Sequence, residues 1–66
     1  MNVNVDSNDR IIRIREVIEM TGLSRSSIYL LIKKGDFPAQ IKLSARSSGW
    51  FCKEIKEWVD TRPRGG

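Results

Sequence analysis

The sequence predicts a small α+β domain, mainly α, with three helices and a two-stranded hairpin. Apolar residues recur at the i, i+3, i+4 spacing of a helix face within residues 28–32 and again within residues 55–59. Apolar and polar residues alternate over residues 41–43, as is typical of a strand. A chain of 66 residues supports one domain with a small core.

The first helix is predicted over residues 15–21. It follows three isoleucines within residues 11–14, β-branched residues that favour a short extended segment. Gly22 stands where a helix ends on a residue with positive φ, a conformation that glycine adopts readily. The residues of this helix predicted to be buried are Val17, Ile18 and Met20.

The second helix is predicted over residues 25–34. Ser24 is a good N-cap because its hydroxyl can accept a hydrogen bond from an orphan amide. Gly35 stops the helix, and Lys33 and Lys34 lie at the negative end of its dipole. One apolar stripe, formed by Ile28, Leu31 and Ile32, is predicted to face the core. The polar face of the helix is then free.

The hairpin is predicted from strands over residues 41–43 and 49–51, joined by a small, polar, basic tip over residues 45–48. An isolated hairpin is not stable in water, so this one must lean on the helices. The side chains predicted to make that contact are Ile41, Trp50 and Phe51.

The third helix is predicted over residues 53–61, with Cys52 as a structural residue at its start. Its apolar stripe is Ile55, Trp58 and Val59, and both tryptophans are predicted to be core residues. Residues 1–9, rich in Asn and Asp, are predicted to be a disordered tail. Residues 62–66 are predicted to be a flexible tail because Pro63 and two glycines cannot continue a helix, which leaves residues 10–61 as the domain.

Composition narrows the possible functions. Twelve Lys and Arg against eight Asp and Glu give a net charge of +4, which favours a polyanionic partner. One cysteine and no histidine exclude an internal disulfide and the usual zinc ligand sets, although an intermolecular disulfide stays open. We predict no metal, no cofactor, no catalytic residues and no enzymatic activity, because the groups for acid–base chemistry are missing. No apolar run suits a signal peptide or a membrane span, so a reduced, cytoplasmic, nucleoid-associated protein is expected.

A short helix, a tight glycine turn and a second helix form the helix-turn-helix arrangement, and the hairpin has the place of a wing. This winged helix-turn-helix is predicted to bind double-stranded DNA, with helix 25–34 in the major groove and the wing, residues 41–51, on phosphate or the minor groove. The residues predicted to contact DNA are Arg25, Ser26, Ser27, Tyr29, Lys33, Lys34, Lys42, Arg46 and Ser47.

Several of these residues have a second interpretation. Arg25 suits base readout because arginine can bond guanine O6 and N7 together, but it can equally contact phosphate. Ser27 can instead support the helix cap, and Tyr29 can be a half-buried core residue. Arg46 can instead lie on a flexible hairpin tip where it contacts nothing in particular. The arginines within residues 10–15 either extend the basic surface or lie on the solvated side of a strand.

Five short motifs in order resemble the AlpA-type prophage regulatory proteins, a family within the small phage excisionases and MerR-like winged helices. They are Arg13-Ile14-Arg15-Glu16-Val17, the stretch 21–29, the stretch 32–38, Gly49-Trp50 and Glu54-Ile55-Lys56-Glu57-Trp58. The family often has proline where this chain has Arg15. The resemblance covers residues 10–62 and implies a DNA-binding regulator carried by a prophage or integrated element.

Two functions fit this resemblance. One is a sequence-specific transcriptional regulator of the element's genes. The alternative is an excisionase-type recombination directionality factor that bends attachment-site DNA for an integrase. The residues do not separate them, whereas the genomic position of the bound sites would. Expected partners are double-stranded DNA, with integrase or RNA polymerase as candidate protein partners and cooperative self-association on DNA as a further hypothesis; no membrane contact is expected.

Overall fold

The computed structural model describes residues 10–63. The elements in chain order are β1 (Ile11–Ile12), α1 (Ile14–Thr21), α2 (Arg25–Lys34), β2 (Ile41–Ser44), β3 (Ser47–Phe51) and α3 (Cys52–Asp60). This mainly helical arrangement confirms the predicted winged helix-turn-helix fold class, and each helix begins within one residue of its predicted start. The predicted tail over residues 1–9 and the last three residues of the predicted C-terminal tail lie outside the described residues.

The hairpin belongs to a three-stranded antiparallel sheet with the strand order β1-β3-β2. In this sheet Ile12 pairs with Trp50, and Ile41 pairs with Gly49. The sequence predicted an extended segment at β1 but did not predict that it pairs with the returning strand. That pairing holds Ile11 and Ile12 against the C-terminal end of β3.

The turn of the hairpin is tighter than predicted. Only Ala45 and Arg46 form it, whereas Ser47 and Ser48, predicted as part of the tip, belong to β3. Small polar residues favour a loop by composition, but here they continue the ladder because their backbone groups pair with β2. The basic side chain at the tip is therefore carried on a short, well-defined turn.

One core lies between the sheet and the helices. Every helix contributes to it, as do β1, β3 and the loop after α2, whereas β2 buries no residue. The hairpin is tied down at a second point, because Arg13 Nε donates a hydrogen bond to the Ser48 carbonyl oxygen at 2.8 Å. The buried residues are Ile12, Val17, Ile28, Phe37, Trp50, Cys52 and Ile55.

Two predicted packing residues are exposed. Phe51 was predicted to lean on the helices, and this is wrong: it is 42% exposed, because strand side chains alternate and its neighbour Trp50 faces the core. Val59 is 37% exposed, because the covered face of α3 runs through Cys52, Ile55 and Trp58 in steps of three residues. That face leaves Val59 at its edge.

Gly49 lies where two strands approach closely. A Cβ atom there would lie 2.6 Å from Ile11 Cγ2 and 3.0 Å from the Ile12 carbonyl oxygen. We expect Gly49→Ala to lower the free energy of unfolding by about 1–3 kcal/mol through overpacking, as measured by urea denaturation. The nearest atom belongs to Ile11. Adding Gly49→Ala to the Ile11→Ala variant should therefore cost less stability than adding it to the wild-type protein. Equal costs in the two backgrounds would contradict this packing.

Candidate nucleic-acid interface

The turn between α1 and α2 is fixed by short-range hydrogen bonds. Thr21 Oγ1 donates to the Val17 carbonyl oxygen at 2.8 Å and accepts the amide of Leu23 at 3.1 Å. Gly22 has φ 75°, and its amide donates to the Ile18 carbonyl oxygen at 2.8 Å. The prediction that Gly22 ends the first helix in the left-handed conformation is confirmed. These bonds define where α2 begins and in which direction it leaves the turn.

Ser24 caps α2, as predicted. Its Oγ accepts the amide of Ser27 at 3.1 Å, and its hydroxyl donates to Ser27 Oγ at 3.0 Å. Ser27 supports the cap through these two hydrogen bonds, and it is half-buried. Because its hydroxyl oxygen is the acceptor in that bond, its own proton remains to be donated elsewhere, and a DNA contact by Ser27 stays a prediction.

The other end of α2 is closed by Gly35, which has φ 82°. Its amide donates to the Ile32 carbonyl oxygen at 3.0 Å, and the amide of Asp36 donates to the Leu31 carbonyl oxygen at 2.9 Å. This is the Schellman pattern, in which a left-handed glycine satisfies the last carbonyl groups of a helix. The predicted stop at Gly35 is confirmed, and the two preceding lysines are exposed.

α2 presents one continuous face to solvent. Ile28 is fully buried, and the residues on the far side of the helix, Ser26, Leu30 and Lys33, are all exposed. Their i, i+4, i+7 spacing places them on a single face. Leu30 is 54% exposed and was not among the predicted contacts. The signal for it was in the sequence, since Leu30 is the aliphatic residue of this helix that falls outside the core stripe.

Arg25 and Tyr29 flank this face, and both are exposed. The Tyr29 ring centroid lies 6.3 Å from that of Trp50, with the ring planes tilted by 56°. The ring therefore leans on the edge of the core while 38% of the residue stays accessible. The packing of Tyr29 beside Trp50 agrees with the second interpretation, in which its ring contributes to the core. A contact between Tyr29 and DNA stays a prediction.

The hairpin carries the remaining predicted contacts. Lys42 and Arg46 are exposed, with Arg46 at the turn, where its amide donates to Ser44 Oγ at 3.3 Å. Ser47 is half-buried and pairs with Ser44 across the hairpin, so it is the least accessible of the three. The structure therefore offers two cationic side chains on the hairpin to a partner.

Positive charge is concentrated on α2 and the hairpin. Residues 24–51 contain five cations and one carboxylate, Asp36, whereas α3 holds three carboxylates and two lysines. All five cations are exposed, and none makes an ion pair or a side-chain hydrogen bond with another residue of the described stretch 10–63. They are Arg25, Lys33, Lys34, Lys42 and Arg46.

The first arginines of the domain are used differently. Arg10 forms an ion pair with Glu16, and this hydrogen bond holds the pKa of Glu16 below its ordinary value. Arg13 is bound to the hairpin through the Ser48 carbonyl oxygen. Two of the three arginines that could extend the basic surface therefore serve the fold. The third, Arg15, is exposed on α1, apart from the five cations of α2 and the hairpin.

Within residues 10–63, no group of three or more His, Cys, Asp or Glu side chains is placed to hold a metal ion. Over the same residues, no helix has both the length and the apolar character needed to cross a membrane. Cys52 is a buried free thiol at the start of α3, as predicted, and its amide donates to the Arg10 carbonyl oxygen at 2.9 Å.

Comparison with known proteins identifies the family. The model of the family described as "Prophage CP4-57 regulatory protein (AlpA)" matches residues 10–63. The chain is 41% identical over 59 residues to the uncharacterized protein ORF88 of Enterobacteria phage P4, covering 89% of this chain and 67% of that protein. It is 35% identical over 66 residues to the DNA-binding transcriptional activator AlpA of Escherichia coli K12, covering 91% of this chain and 94% of the activator. The chain therefore belongs to the prophage CP4-57 regulatory protein (AlpA) family, a family of phage regulatory proteins and not an enzyme class.

Proposed function

We propose that this protein is a sequence-specific, double-stranded DNA-binding transcriptional regulator of a prophage or integrated mobile element. The observation that carries the proposal is the set of five exposed cations on α2 and the hairpin, which have no ion-pair partner in the described stretch 10–63 and share their region with a single carboxylate. Such a surface attracts a polyanion, and no carboxylate within residues 10–63 forms an ion pair with its cations. The similarity to an E. coli protein described as a DNA-binding transcriptional activator supports the same role.

In this proposal α2 enters the major groove, which is about 12 Å wide and accepts a helix. Arg25 is the first residue of α2, where a recognition helix reaches base edges, and its guanidinium has no partner within residues 10–63. It is thus free to bond two acceptors of a guanine. Lys33 and Lys34, at the other end, suit phosphates of the groove's rim.

The hairpin makes a second contact in the same proposal. Arg46 is exposed at the two-residue turn that joins β2 and β3, and Lys42 lies on β2, whose residues are not buried. Cations carried there suit phosphate or the minor groove beside the site read by α2. A regulator working in this way acts at the chromosome, so we also propose a nucleoid-associated location.

The proposal is tested by selecting sequences from a pool of random duplexes with the wild-type protein and then measuring Arg25→Ala on the selected and an unrelated duplex. We expect one sequence class to be enriched. We expect Arg25→Ala to reduce the ratio of the two affinities by about 5- to 150-fold, the value of roughly 1–3 kcal/mol for a bidentate base contact.

Arg15→Ala is the matched control for this experiment. Arg15 is an exposed arginine on α1, so its replacement removes the same charge from a different helix and should leave the affinity ratio unchanged. Failure of the wild-type protein to enrich any duplex sequence would overturn the proposal. An equal loss of affinity for both duplexes with Arg25→Ala would instead assign Arg25 to phosphate.

A further inference from the structure

We propose that Leu30 is a specificity-determining residue that contacts the C5-methyl group of a thymine in the major groove. The inference rests on the proposed function, because it requires α2 to enter that groove. Its starting point is the exposure of Leu30, which at 54% exceeds that of the other exposed large hydrophobic residues within residues 10–63.

A single exposed leucine is common on protein surfaces and by itself indicates nothing. The position of Leu30 is what matters. It lies near the middle of α2, opposite the fully buried Ile28, and it contributes nothing to the core cluster, whereas Leu31 and Ile32 pack against that cluster. The fold therefore does not require an apolar side chain at this position.

The surroundings of Leu30 identify its partner. On a helix, a residue's neighbours are those three and four positions away, and for Leu30 all four are serine or lysine. Protein-binding surfaces are marked by contiguous apolar patches, whereas the positions three and four residues away from Leu30 all carry a hydroxyl or an ammonium group. The neighbours are Ser26, Ser27, Lys33 and Lys34.

The partner that suits this pattern is a polyanion that carries an isolated apolar group. The major groove is lined by phosphates, and the thymine C5-methyl is the apolar group that distinguishes the base edges on its floor. Arg25 and Lys33 stand before and after Leu30 along α2, about 7.5 Å and 4.5 Å away along the axis. Cations at that spacing can hold the two ends of the helix to the DNA and turn its central side chain towards the bases.

The experiment removes the methyl group without changing the base pairing. Each thymine of the duplex selected by the wild-type protein is replaced in turn by deoxyuridine, and affinities are measured for the wild-type protein and for Leu30→Ala. For at least one thymine we expect the wild-type protein to bind the deoxyuridine duplex about fourfold more weakly, the effect of burying one methyl group. Leu30→Ala should bind both duplexes equally at that position.

Val59→Ala serves as a control, because Val59 is also an exposed aliphatic residue but lies on α3, whose carboxylates outnumber its lysines. It should keep the wild-type preference for thymine. Deoxyuridine having no effect at any position, or an effect that persists in Leu30→Ala, would overturn the assignment of Leu30. A loss of affinity with Leu30→Ala that is the same with and without the thymine methyl would show that Leu30 acts through another group, and would also overturn the assignment. Each of these results leaves DNA binding itself intact, whereas absence of any selected duplex would refute the proposed function.

Discussion

Replacing Trp50 by alanine is expected to remove about 3–5 kcal/mol from the free energy of unfolding, a large part of the stability of this domain. Trp50 is fully buried, packs beside Tyr29, and donates a hydrogen bond from Nε1 to the Pro38 carbonyl oxygen at 3.0 Å. Removing a buried aromatic side chain costs about 3–5 kcal/mol. At about 0.05–0.15 kcal/mol per residue, a domain of this size has roughly 3–10 kcal/mol of stability, so the loss takes much or all of it.

The measurement is urea denaturation followed by circular dichroism, with Phe51→Ala as the matched control. Phe51 is the next residue along β3 but faces outward, so the same change from an aromatic residue to alanine should cost less than about 1 kcal/mol. Equal destabilisation by the two substitutions would contradict the alternation of β3 that places Trp50 in the core.

The double variant Lys33→Ala/Lys34→Ala is expected to bind duplex DNA about 60-fold more weakly than the wild-type protein near 0.1 M salt. Each phosphate contact contributes about 0.9 to the slope of log affinity against log salt, so two lost contacts change log affinity by about 1.8 at that concentration. The loss should be nearly the same for selected and unrelated sequences, because phosphate contacts carry no sequence information.

Lys53→Ala/Lys56→Ala is the matched control for this pair. It also removes two lysines, here from α3, so the net charge of the two double variants is identical. We expect its affinity to stay within about threefold of the wild-type value, since it removes no phosphate contact. Equal losses for both variants would show that binding depends on net charge alone and would contradict a defined surface on α2.

The ends of the helices could be predicted because their determinants are local. Ser24 with the amide three residues later, and Gly22 and Gly35 with the preceding turn, form hydrogen bonds within a few residues of each other. Propensity and capping act at that distance, so the short sequence pattern contains the information. The fold class followed from these boundaries and from the hairpin between the second and third helices.

The faces of the strands could not be predicted in the same way. Trp50 and Phe51 are both aromatic, and only the pairing of β1 with β3 determines which of them faces the core. That pairing joins residues almost forty positions apart, from Ile12 to Trp50, and leaves no mark in the local pattern. Val59 was misassigned for a related reason, since the covered face of α3 depends on where α1 and the sheet lie.

The candidate interface shows the same division. The exposure of four cations was predictable from their charge and from the apolar stripe of α2. They are Lys33, Lys34, Lys42 and Arg46. The hydrogen bond from Arg13 to Ser48 of the hairpin joins distant parts of the chain and was not predictable. Leu30 was overlooked because an apolar residue is assigned to the core by default, although its place on the far side of α2 follows from helical geometry alone.

The salt dependence of duplex binding by the wild-type protein tests DNA recognition by α2 and the hairpin most directly. If four or five cations contact phosphate, affinity should fall by about 150- to 500-fold between about 50 and 200 mM salt, on a straight line of log affinity against log salt. The slope should be shallower for Lys33→Ala/Lys34→Ala by about 1.8. An affinity that stays constant over this range would show that the exposed cations of α2 and the hairpin do not bind DNA.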